Sequence, residues 1–250
     1  MELLQLNEWE FLEKASQTYV TSESSSQDRL IRSLVVRTFA PFLRGGQGLE
    51  LGCSDGFMTQ LLSRHFENLD VVDGSERFLN HARSRNIANA RFFHALFEQF
   101  ISCTAYDAVF ACFVLEHVAD VQSVLKTART ALKSSGLLFV AVPNARSLSR
   151  QLARHMGLLN DLKDLTENDL KHGHRRVYDR VTLNRDLEQA GFRIVSQGGI
   201  LLKLLADFQM DKLIDLGILA EPQLDGLYKL GLEHPDLCGS LFAIAQPASV

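Results

Sequence analysis

The stretch from Gly48 to Gly56 reads G-L-E-L-G-C-S-D-G and decides the fold of this chain. A short apolar strand runs into a turn of small residues, and a helical pattern of apolar residues starts at Phe57. Gly52 and Gly56 let the backbone turn tightly and approach a ligand closely. Glu50 lies inside the strand end, where an unpaired carboxylate is costly to bury, so we expect it to face a polar partner. The stretch therefore predicts a strand, a turn and a helix whose N-terminus faces a bound ligand.

Three kinds of site have a turn of this type. A dinucleotide site needs G-x-G-x-x-G, and the G-x-S-x-G spacing here fits NAD or FAD poorly. The same spacing matches the nucleophile elbow of α/β-hydrolases, with Ser54 as the nucleophile. An elbow follows several strands and an oxyanion loop, whereas the roughly fifty residues before Ser54 have the pattern of helices. The third kind adds an acid about twenty residues after the turn to accept hydrogen bonds from ribose hydroxyls, and Asp73 ends the second apolar strand near that distance.

Four motifs in one order carry a resemblance to a known family. They are E-L-G-C-S-D-G from Glu50, V-V-D-G-S-E-R-F-L from Val71, Y-D-A-V-F-A-C-F-V-L-E-H-V-A-D from Tyr106 and G-L-L-F-V-A-V-P-N-A from Gly136. Together they resemble class I S-adenosylmethionine-dependent methyltransferases, and within these the branch of ubiquinone-type and related small-molecule methyltransferases. The resemblance covers about residues 45–200. It implies a Rossmann-like, doubly wound α/β fold: a mostly parallel seven-stranded sheet with helices on both faces, an antiparallel last strand and helical lid insertions.

The alternation of strands and helices predicts one methyltransferase domain over residues 1–250. Its expected parts are N-terminal helices at 1–44, a cofactor-binding core at 45–145, a lid insertion at 146–176, and the rest of the sheet at 177–250 with a helical insertion at 201–236.

Residues that cap or break helices predict several element ends. Asp28 is expected to cap a helix that reaches Leu43, and Asp120 to cap a later helix that Gly136 ends. In similar proteins the last strand, here Leu237 to Ala245, pairs antiparallel at the sheet edge.

The resemblance implies S-adenosyl-L-methionine as the cofactor and assigns residues to its parts. Glu50, Gly52 and Ser54 would lie against the amino-acid portion, with backbone groups of the turn contacting its carboxylate and amine. Asp73 would hold the ribose hydroxyls, although a surface aspartate at this position also suits the cap of the next helix. The full predicted set is Glu50, Gly52, Cys53, Ser54, Gly56, Asp73, Gly74, Leu96, Phe97, Cys112 and Phe113.

Two parts of that set have alternatives. Many similar methyltransferases carry an acid in the loop that meets adenine, and this chain has Ala95, Leu96 and Phe97 there. Apolar contact from Leu96 or Phe97 is therefore expected, and packing of both in the core is equally compatible with the pattern. Phe113 stands where some relatives have a carboxylate that ligates a divalent metal, so no metal site is expected.

His117, His172 and His174 are the candidate catalytic residues. A histidine near the expected methyl position suits proton transfer at neutral pH, and a histidine that satisfies local backbone groups is the alternative for His117. The run from Lys171 to Arg176 would place two histidines and two arginines at the end of the lid, where they would bind an acidic substrate or form a solvated loop. Tyr178 and Tyr19 would cover the cofactor or pack as ordinary aromatics.

Composition narrows the expected partners. A formal net charge of −4 provides no basic surface for nucleic acid. Four cysteines without C-x-x-C spacing suggest neither a disulfide framework nor a zinc site. No basic leader and no apolar run long enough for a membrane span occur in the sequence, so we expect a cytoplasmic protein. A homodimer is compatible with the composition.

The sequence thus predicts an enzyme that transfers a methyl group to an oxygen or nitrogen of a small-molecule acceptor. A module that binds S-adenosylmethionine without turnover is the alternative, and an NAD dehydrogenase is a remote third. The identity of the acceptor stays open because one fold serves many acceptors.

Overall fold

The computed structural model describes residues 7–21 and 25–248, and within them the side chains of all but residues 18–21, which include the predicted Tyr19. A seven-stranded sheet in the order β3-β2-β1-β4-β5-β7-β6 forms its centre. The strands are β1 (Gln47–Leu51), β2 (Asn68–Asp73), β3 (Ala90–His94), β4 (Tyr106–Cys112), β5 (Leu132–Pro143), β6 (Phe192–Ile200) and β7 (Ser240–Pro247). The helices are α1 (Glu8–Thr21), α2 (Ser26–Phe39), α3 (Phe57–Leu62), α4 (Glu76–Ser84), α5 (Val121–Ala131), α6 (Leu148–His155), α7 (Glu167–Lys171), α8 (Arg180–Gln189), α9 (Asp207–Asp215) and α10 (Glu221–Glu233).

The pairing of the strands confirms the predicted fold class. Strands β3, β2, β1, β4 and β5 pair with one another in parallel, and β7 runs antiparallel to both β5 and β6. Parallel strands need crossover connections, and helices supply them from β1 to β2, from β2 to β3 and from β4 to β5, whereas only a short 3-10 turn lies between β3 and β4. The carboxyl ends of β1, β2 and β4 therefore meet at one edge of the sheet, where ligands bind in doubly wound folds.

The predicted place of the last strand is wrong. Strand β7 lies between β5 and β6, so β6 forms the sheet edge. The residues of β7 from Ser240 to Ala245 are all buried, whereas β6 is buried only at its ends and alternates between exposed and half-buried positions from Arg193 to Gly198. A strand covered on both faces belongs inside a sheet, and the continuous apolar run of β7 already indicated this.

Two predicted helix ends are also wrong. Helix α2 begins at Ser26, capped by the Ser25 side chain, which accepts a hydrogen bond from the Asp28 N–H, and it ends at Phe39. Asp120 caps α5 as predicted, but α5 ends at Ala131 and the chain enters β5 at once. Gly136 lies within β5, where a Cβ atom would come within 2.8 Å of the Tyr106 carbonyl oxygen. Close backbone approach, and not helix termination, is what requires glycine there.

The core has one layer on each face of the sheet. On one face, aromatic rings join α2 to the strands: the ring of Phe139 lies 4.9 Å from that of Phe110 and 5.0 Å from that of Phe39. This packing holds the strand ends that carry the site. Among the described residues, no helix is both long and apolar enough to cross a membrane. The organisation of residues 1–250 as a single domain stays a prediction.

Candidate active site

The turn after β1 has the backbone conformation that the glycine-rich stretch predicts. Gly52, Ser54 and Gly56 have φ angles of +80°, +47° and +76°. The Gly52 N–H donates to the Val72 carbonyl at 2.8 Å, which ties the turn to the end of β2. A Cβ atom on Gly52 would come within 2.8 Å of Val114 Cγ2, so only glycine fits. The turn is therefore held close to both β2 and the segment after β4.

Asp73 ends β2 and is only 5% exposed. Its Oδ2 accepts the Cys53 N–H at 2.9 Å and its Oδ1 accepts the Ser75 N–H at 2.8 Å. Burial raises the pKa of Asp73, and these backbone hydrogen bonds oppose that effect. Ser75, and not Asp73, caps α4 by accepting the Phe78 N–H. The alternative of Asp73 as a surface helix cap is therefore wrong, because the carboxylate faces inward across the turn.

One cavity of about 730 Å³ opens at these strand ends. That size lies in the range of small-molecule sites. Nine of the eleven predicted cofactor residues line it: Gly52, Cys53, Ser54, Asp73, Gly74, Leu96, Phe97, Cys112 and Phe113. The predicted catalytic residues His117, His172 and His174 line it as well.

Glu50 and Gly56 do not reach the cavity wall. A Cβ atom on Gly56 would come within 2.6 Å of the Ala82 Cα, so this glycine serves the packing of α3 against α4. Glu50 is 2% exposed, and neither carboxylate oxygen has a hydrogen bond of normal geometry among the described residues. Burial raises the pKa of Glu50 to about 8, while the Thr59 hydroxyl and the Arg32 guanidinium favour the charged form. The Glu50 carboxylate therefore has only weak polar contacts in place of the polar partner that the sequence predicts.

Leu96 and Phe97, which the sequence predicts either to contact adenine or to pack in the core, lie at the cavity wall. Both side chains are half-buried and line the cavity, and Phe97 also packs against the core. Gly74 allows α1 to approach, because a Cβ atom there would come within 2.4 Å of Leu12 Cδ1 and 3.3 Å of Leu96 Cδ2. The role of these residues in binding stays a prediction.

Phe113 has a strained backbone at the end of β4. Its φ of +57° is rare for a bulky residue, and its N–H donates to the Ala141 carbonyl at 2.7 Å. The turn that follows places Glu116 and His117 beneath the lid, which comprises residues 146–176. Strained residues of this kind occur at ligand sites more than elsewhere.

Glu116, His117 and His174 form a tight cluster. One ligand-type atom from each residue lies within 4.8 Å of the others, and the rings of His117 and His174 meet edge to face at 4.7 Å. The His174 Nδ1 lies 3.0 Å from the Asp169 Oδ1. Burial and the neighbouring His174 lower the pKa of His117 to about 3, so this imidazole is neutral at physiological pH. Sequence reasoning missed Asp169, although a carboxylate five residues before a candidate histidine is a signal for such a pair.

The arginines at the end of the lid support the scaffold. Arg175 pairs with Glu8 at 2.9 Å and lies 4.1 Å over the ring of Phe11, both in α1. Arg176 donates to the carbonyls of Leu115 and Val118. Neither arginine lines the cavity, so the expectation that they bind an acidic substrate is not met.

Other parts of the wall come from elements that carry no recognisable motif. Helix α1 contributes Phe11 and Leu12, and α9 contributes Asp207 and Phe208. Tyr178, a predicted cofactor cover, is 2% exposed, donates to Asp186 Oδ2 at 3.2 Å and packs in the core. Only long-range packing decides which of these residues reach the cavity.

Comparison with known proteins agrees with this geometry. Ubiquinone biosynthesis O-methyltransferase of Acinetobacter baylyi is 25% identical over 164 residues, 63% of this chain and 68% of that protein. The enzyme of the same name from Sinorhizobium fredii is 25% identical over 169 residues, 66% of this chain and 67% of that protein.

Among solved structures, the N-methyltransferase NodS from Bradyrhizobium japonicum, in complex with S-adenosylhomocysteine, has a TM-score of 0.61 and 14% identity over 94% of this chain and all of that chain. The [4+2]-cyclase SpnF has a TM-score of 0.60 and 17% identity over 89% of this chain and 82% of that chain. These likenesses show the fold alone. The family model described as "Methyltransferase domain" matches residues 24–197, which include the turn after β1, Asp73, the β4 motif and the lid. The chain therefore belongs to the methyltransferase domain family and is a class I S-adenosylmethionine-dependent methyltransferase.

Proposed function

We propose that this protein transfers the methyl group of S-adenosylmethionine to an oxygen or nitrogen of a small-molecule acceptor. The observation that carries the proposal is that the Gly52 turn, Asp73 and the histidines His117, His172 and His174 line one and the same cavity. The curated relatives are named O-methyltransferases and one neighbour in fold is an N-methyltransferase, so both acceptor atoms stay within the proposal.

The residues present fit the cofactor. Asp73 is a buried carboxylate on the cavity wall, and each of its oxygens accepts one backbone N–H, which holds the carboxylate in place. The remaining lone pairs of these oxygens would accept hydrogen bonds from ribose hydroxyls. The bare backbone at Gly52 lets the amino-acid portion lie against the turn. Leu96 and Phe97 would provide the apolar contact for adenine. When bound, S-adenosylmethionine supplies the activated methyl group.

The chain itself would align the acceptor and exclude water. Helix α1, the lid and α9 surround the cavity on the side away from the sheet. Orientation of this kind can contribute several kcal/mol to a displacement reaction. The predicted catalytic residues His117, His172 and His174 line the same cavity, so an acceptor bound there would be within their reach. The absence of nucleic-acid partners, a homodimeric state and a cytoplasmic location stay predictions.

Calorimetric titration with S-adenosylhomocysteine tests the cofactor part. We expect Asp73→Asn to weaken binding by about 10- to 100-fold, because a charge-assisted acceptor is worth about 1.5–3 kcal/mol. Asp107→Asn is the matched control, because Asp107 pairs with Lys133 outside the cavity wall. Equal affinity in both variants would remove Asp73 from the site.

Transfer of a labelled methyl group tests the reaction. The probes are 1,2-dihydroxybenzene for an oxygen acceptor and benzylamine for a nitrogen acceptor. Labelled product with wild type and a loss of product with Asp73→Asn would support the enzyme. Tight cofactor binding without transfer to these probes or to a cell extract would favour a binding module.

A further inference from the structure

Asp169 and His174 form a pair whose orientation is set from outside the cavity. Asp169 is 7% exposed, and its Oδ2 accepts from Arg150 Nη1 at 3.0 Å, the Thr166 N–H at 2.8 Å and the Thr166 hydroxyl at 2.7 Å. Burial acts to raise the pKa of Asp169, but hydrogen bonds from His174, Thr166 and Arg150 outweigh it and hold that pKa well below its usual value. The other oxygen, Oδ1, is therefore an ionised acceptor for His174 Nδ1.

This contact decides the protonation pattern of the His174 ring. An ionised carboxylate accepts and does not donate, so the ring nitrogen that faces it carries the proton. A neutral His174 then has its proton on Nδ1 and a lone pair on Nε2. The ring lines the cavity, so this lone pair is the proton acceptor that His174 has left for a ligand.

A second carboxylate lies beside the same ring. Glu116 is 1% exposed, and neither of its oxygens has a hydrogen bond among the residues described. Burial raises its pKa to about 7, and His174 is the leading opposing charge. A buried carboxylate without a partner is costly, and an imidazolium at His174 would relieve that cost.

The other basic groups around the His174 ring do not serve as the counter-ion of Glu116. His117 on the segment after β4 is neutral, and His172 lies 6.5 Å away, ring centre to ring centre. Arg150 of α6 contacts Asp169, Arg175 pairs with α1, and Arg176 is engaged by backbone carbonyls. The cationic form of His174 is therefore flanked by two carboxylates.

We propose that His174 is the proton acceptor of the methyl-transfer reaction, with Asp169 as its positioning residue and Glu116 as its buried counter-charge. The inference rests on the proposed function. In the step, the bond between hydrogen and the acceptor oxygen or nitrogen breaks, and the proton moves to the His174 Nε2 lone pair. The acceptor atom keeps the bonding electrons and becomes the nucleophile. Its new bond to the methyl carbon would form as the bond between that carbon and the sulfonium sulfur breaks, and S-adenosylhomocysteine would leave with the sulfur electrons. The imidazolium returns its proton to water after the product leaves.

Nitrogen-15 NMR of the histidine rings, recorded with S-adenosylhomocysteine bound, tests Asp169 without any acceptor. The His174 signal is assigned by its loss in His174→Gln. Wild type is expected to show the Nδ1–H form. Asp169→Asn is expected to shift the proton to Nε2, because an amide N–H can donate to Nδ1. Asp161→Asn, a change at another lid aspartate that does not line the cavity, is the control and keeps the wild-type form.

Steady-state kinetics with 1,2-dihydroxybenzene gives the second readout. We expect kcat to fall about 100-fold or more in Asp169→Asn, with KM and S-adenosylhomocysteine affinity within about threefold of wild type, as for a base held in the wrong tautomer. In Glu116→Gln kcat should also fall, with KM within about threefold of wild type, because the imidazolium formed in the step loses a neighbouring negative charge.

Three results would overturn the inference. The first is an Nε2–H tautomer of His174 in wild type. The second is an unchanged His174 tautomer and an unchanged kcat in Asp169→Asn. The third is a loss of activity in EDTA, where adding a divalent cation restores activity and also shifts the His117 and His174 signals. The last would assign Glu116, His117 and His174 to a metal ion. If the wild-type protein methylates neither probe, the proposed function is contradicted. The tautomer of His174 would still test the pairing of Asp169 with His174.

Discussion

At the scale of single residues, Glu50 makes the stability of the protein depend on pH. Its pKa of about 8 in the folded protein exceeds the usual 4.5, so the folded state holds a proton that the unfolded chain has lost between these values. The stability contributed by this proton is complete below about pH 4.5 and is lost as the pH rises toward 8.

Glu50→Gln should therefore stabilise the cofactor-free protein at pH 8, by on the order of 2 kcal/mol, and much less at pH 5. Urea unfolding at both pH values measures this difference. Asp107→Asn is the control, because Asp107 is partly exposed and has no raised pKa. Burial acts to raise the pKa of Asp107, but hydrogen bonds from Gln47 and Lys133 outweigh it and lower that pKa. An equal effect of Glu50→Gln at both pH values would contradict the prediction.

A comparison of Gly52 with Gly157 distinguishes the cost of a strained backbone from the cost of a steric clash when a Cβ atom is added. Both have positive φ, +80° and +76°, but a Cβ atom on Gly157 would meet nothing within 4 Å, whereas one on Gly52 would reach Val114. We expect Gly157→Ala to lower the free energy of unfolding by about 1 kcal/mol and Gly52→Ala by about 2–4 kcal/mol. Only Gly52→Ala should also weaken S-adenosylhomocysteine binding. Thermal unfolding and calorimetry measure both effects, and equal values for the two variants would refute the steric argument.

At the scale of elements, α1 and the lid close the cavity by contacting each other. Arg175 joins them through Glu8 and Phe11, and Gly173 lies so close that a Cβ atom on it would be 3.2 Å from the Phe11 ring. Exposed ion pairs are weak, but an arginine over an aromatic ring adds about 0.5–1 kcal/mol. We therefore expect the contact to slow ligand release without preventing the cavity from opening.

Arg175→Ala should speed dissociation of S-adenosylhomocysteine by about three- to tenfold, because α1 then opens more often. Stopped-flow displacement measures the rate. Arg180→Ala, which removes an ion pair with Asp236 outside the cavity wall, should leave the rate unchanged. If both variants release ligand at the wild-type rate, α1 does not gate the cavity through this contact.

At the scale of the whole molecule, carboxylates outnumber basic side chains on the cavity wall, even though Glu8 and Asp55 also pair with Arg175 and Arg85, which lie outside that wall. Beside Asp73 and Glu116, six further carboxylates line its described wall, against the basic side chains of Arg32, Lys171 and Lys203. The six are Glu8, Asp28, Asp55, Glu98, Asp207 and Asp211. A cleft lined mainly by one sign of charge concentrates ligands of the opposite sign.

The cavity charge predicts a preference between two matched acceptors. They are 3,4-dihydroxyphenethylamine and 3,4-dihydroxyphenylacetate, which share a ring and differ in the charge of the side group. We expect kcat/KM to be about tenfold higher for the amine at low salt, and the ratio to shrink as ionic strength screens the field. A higher kcat/KM for the carboxylate would show that the acidic wall does not select the acceptor.

Local sequence determined the elements that form the reactive edge of the sheet. A strand, a glycine turn and a helix are contiguous, so Gly52 and the carboxylate of Asp73 were recognisable before any packing was known, and Asp120 capped its helix by the same local rule. Tertiary structure decided what depends on distant contacts. Strand β7 entered the sheet between β5 and β6 because both of its faces had to be covered, and Gly136 was required by the approach of another strand. Asp169 and His174 are neighbours within the lid, but only tertiary structure brings them to Glu116, because the lid folds back over the segment after β4.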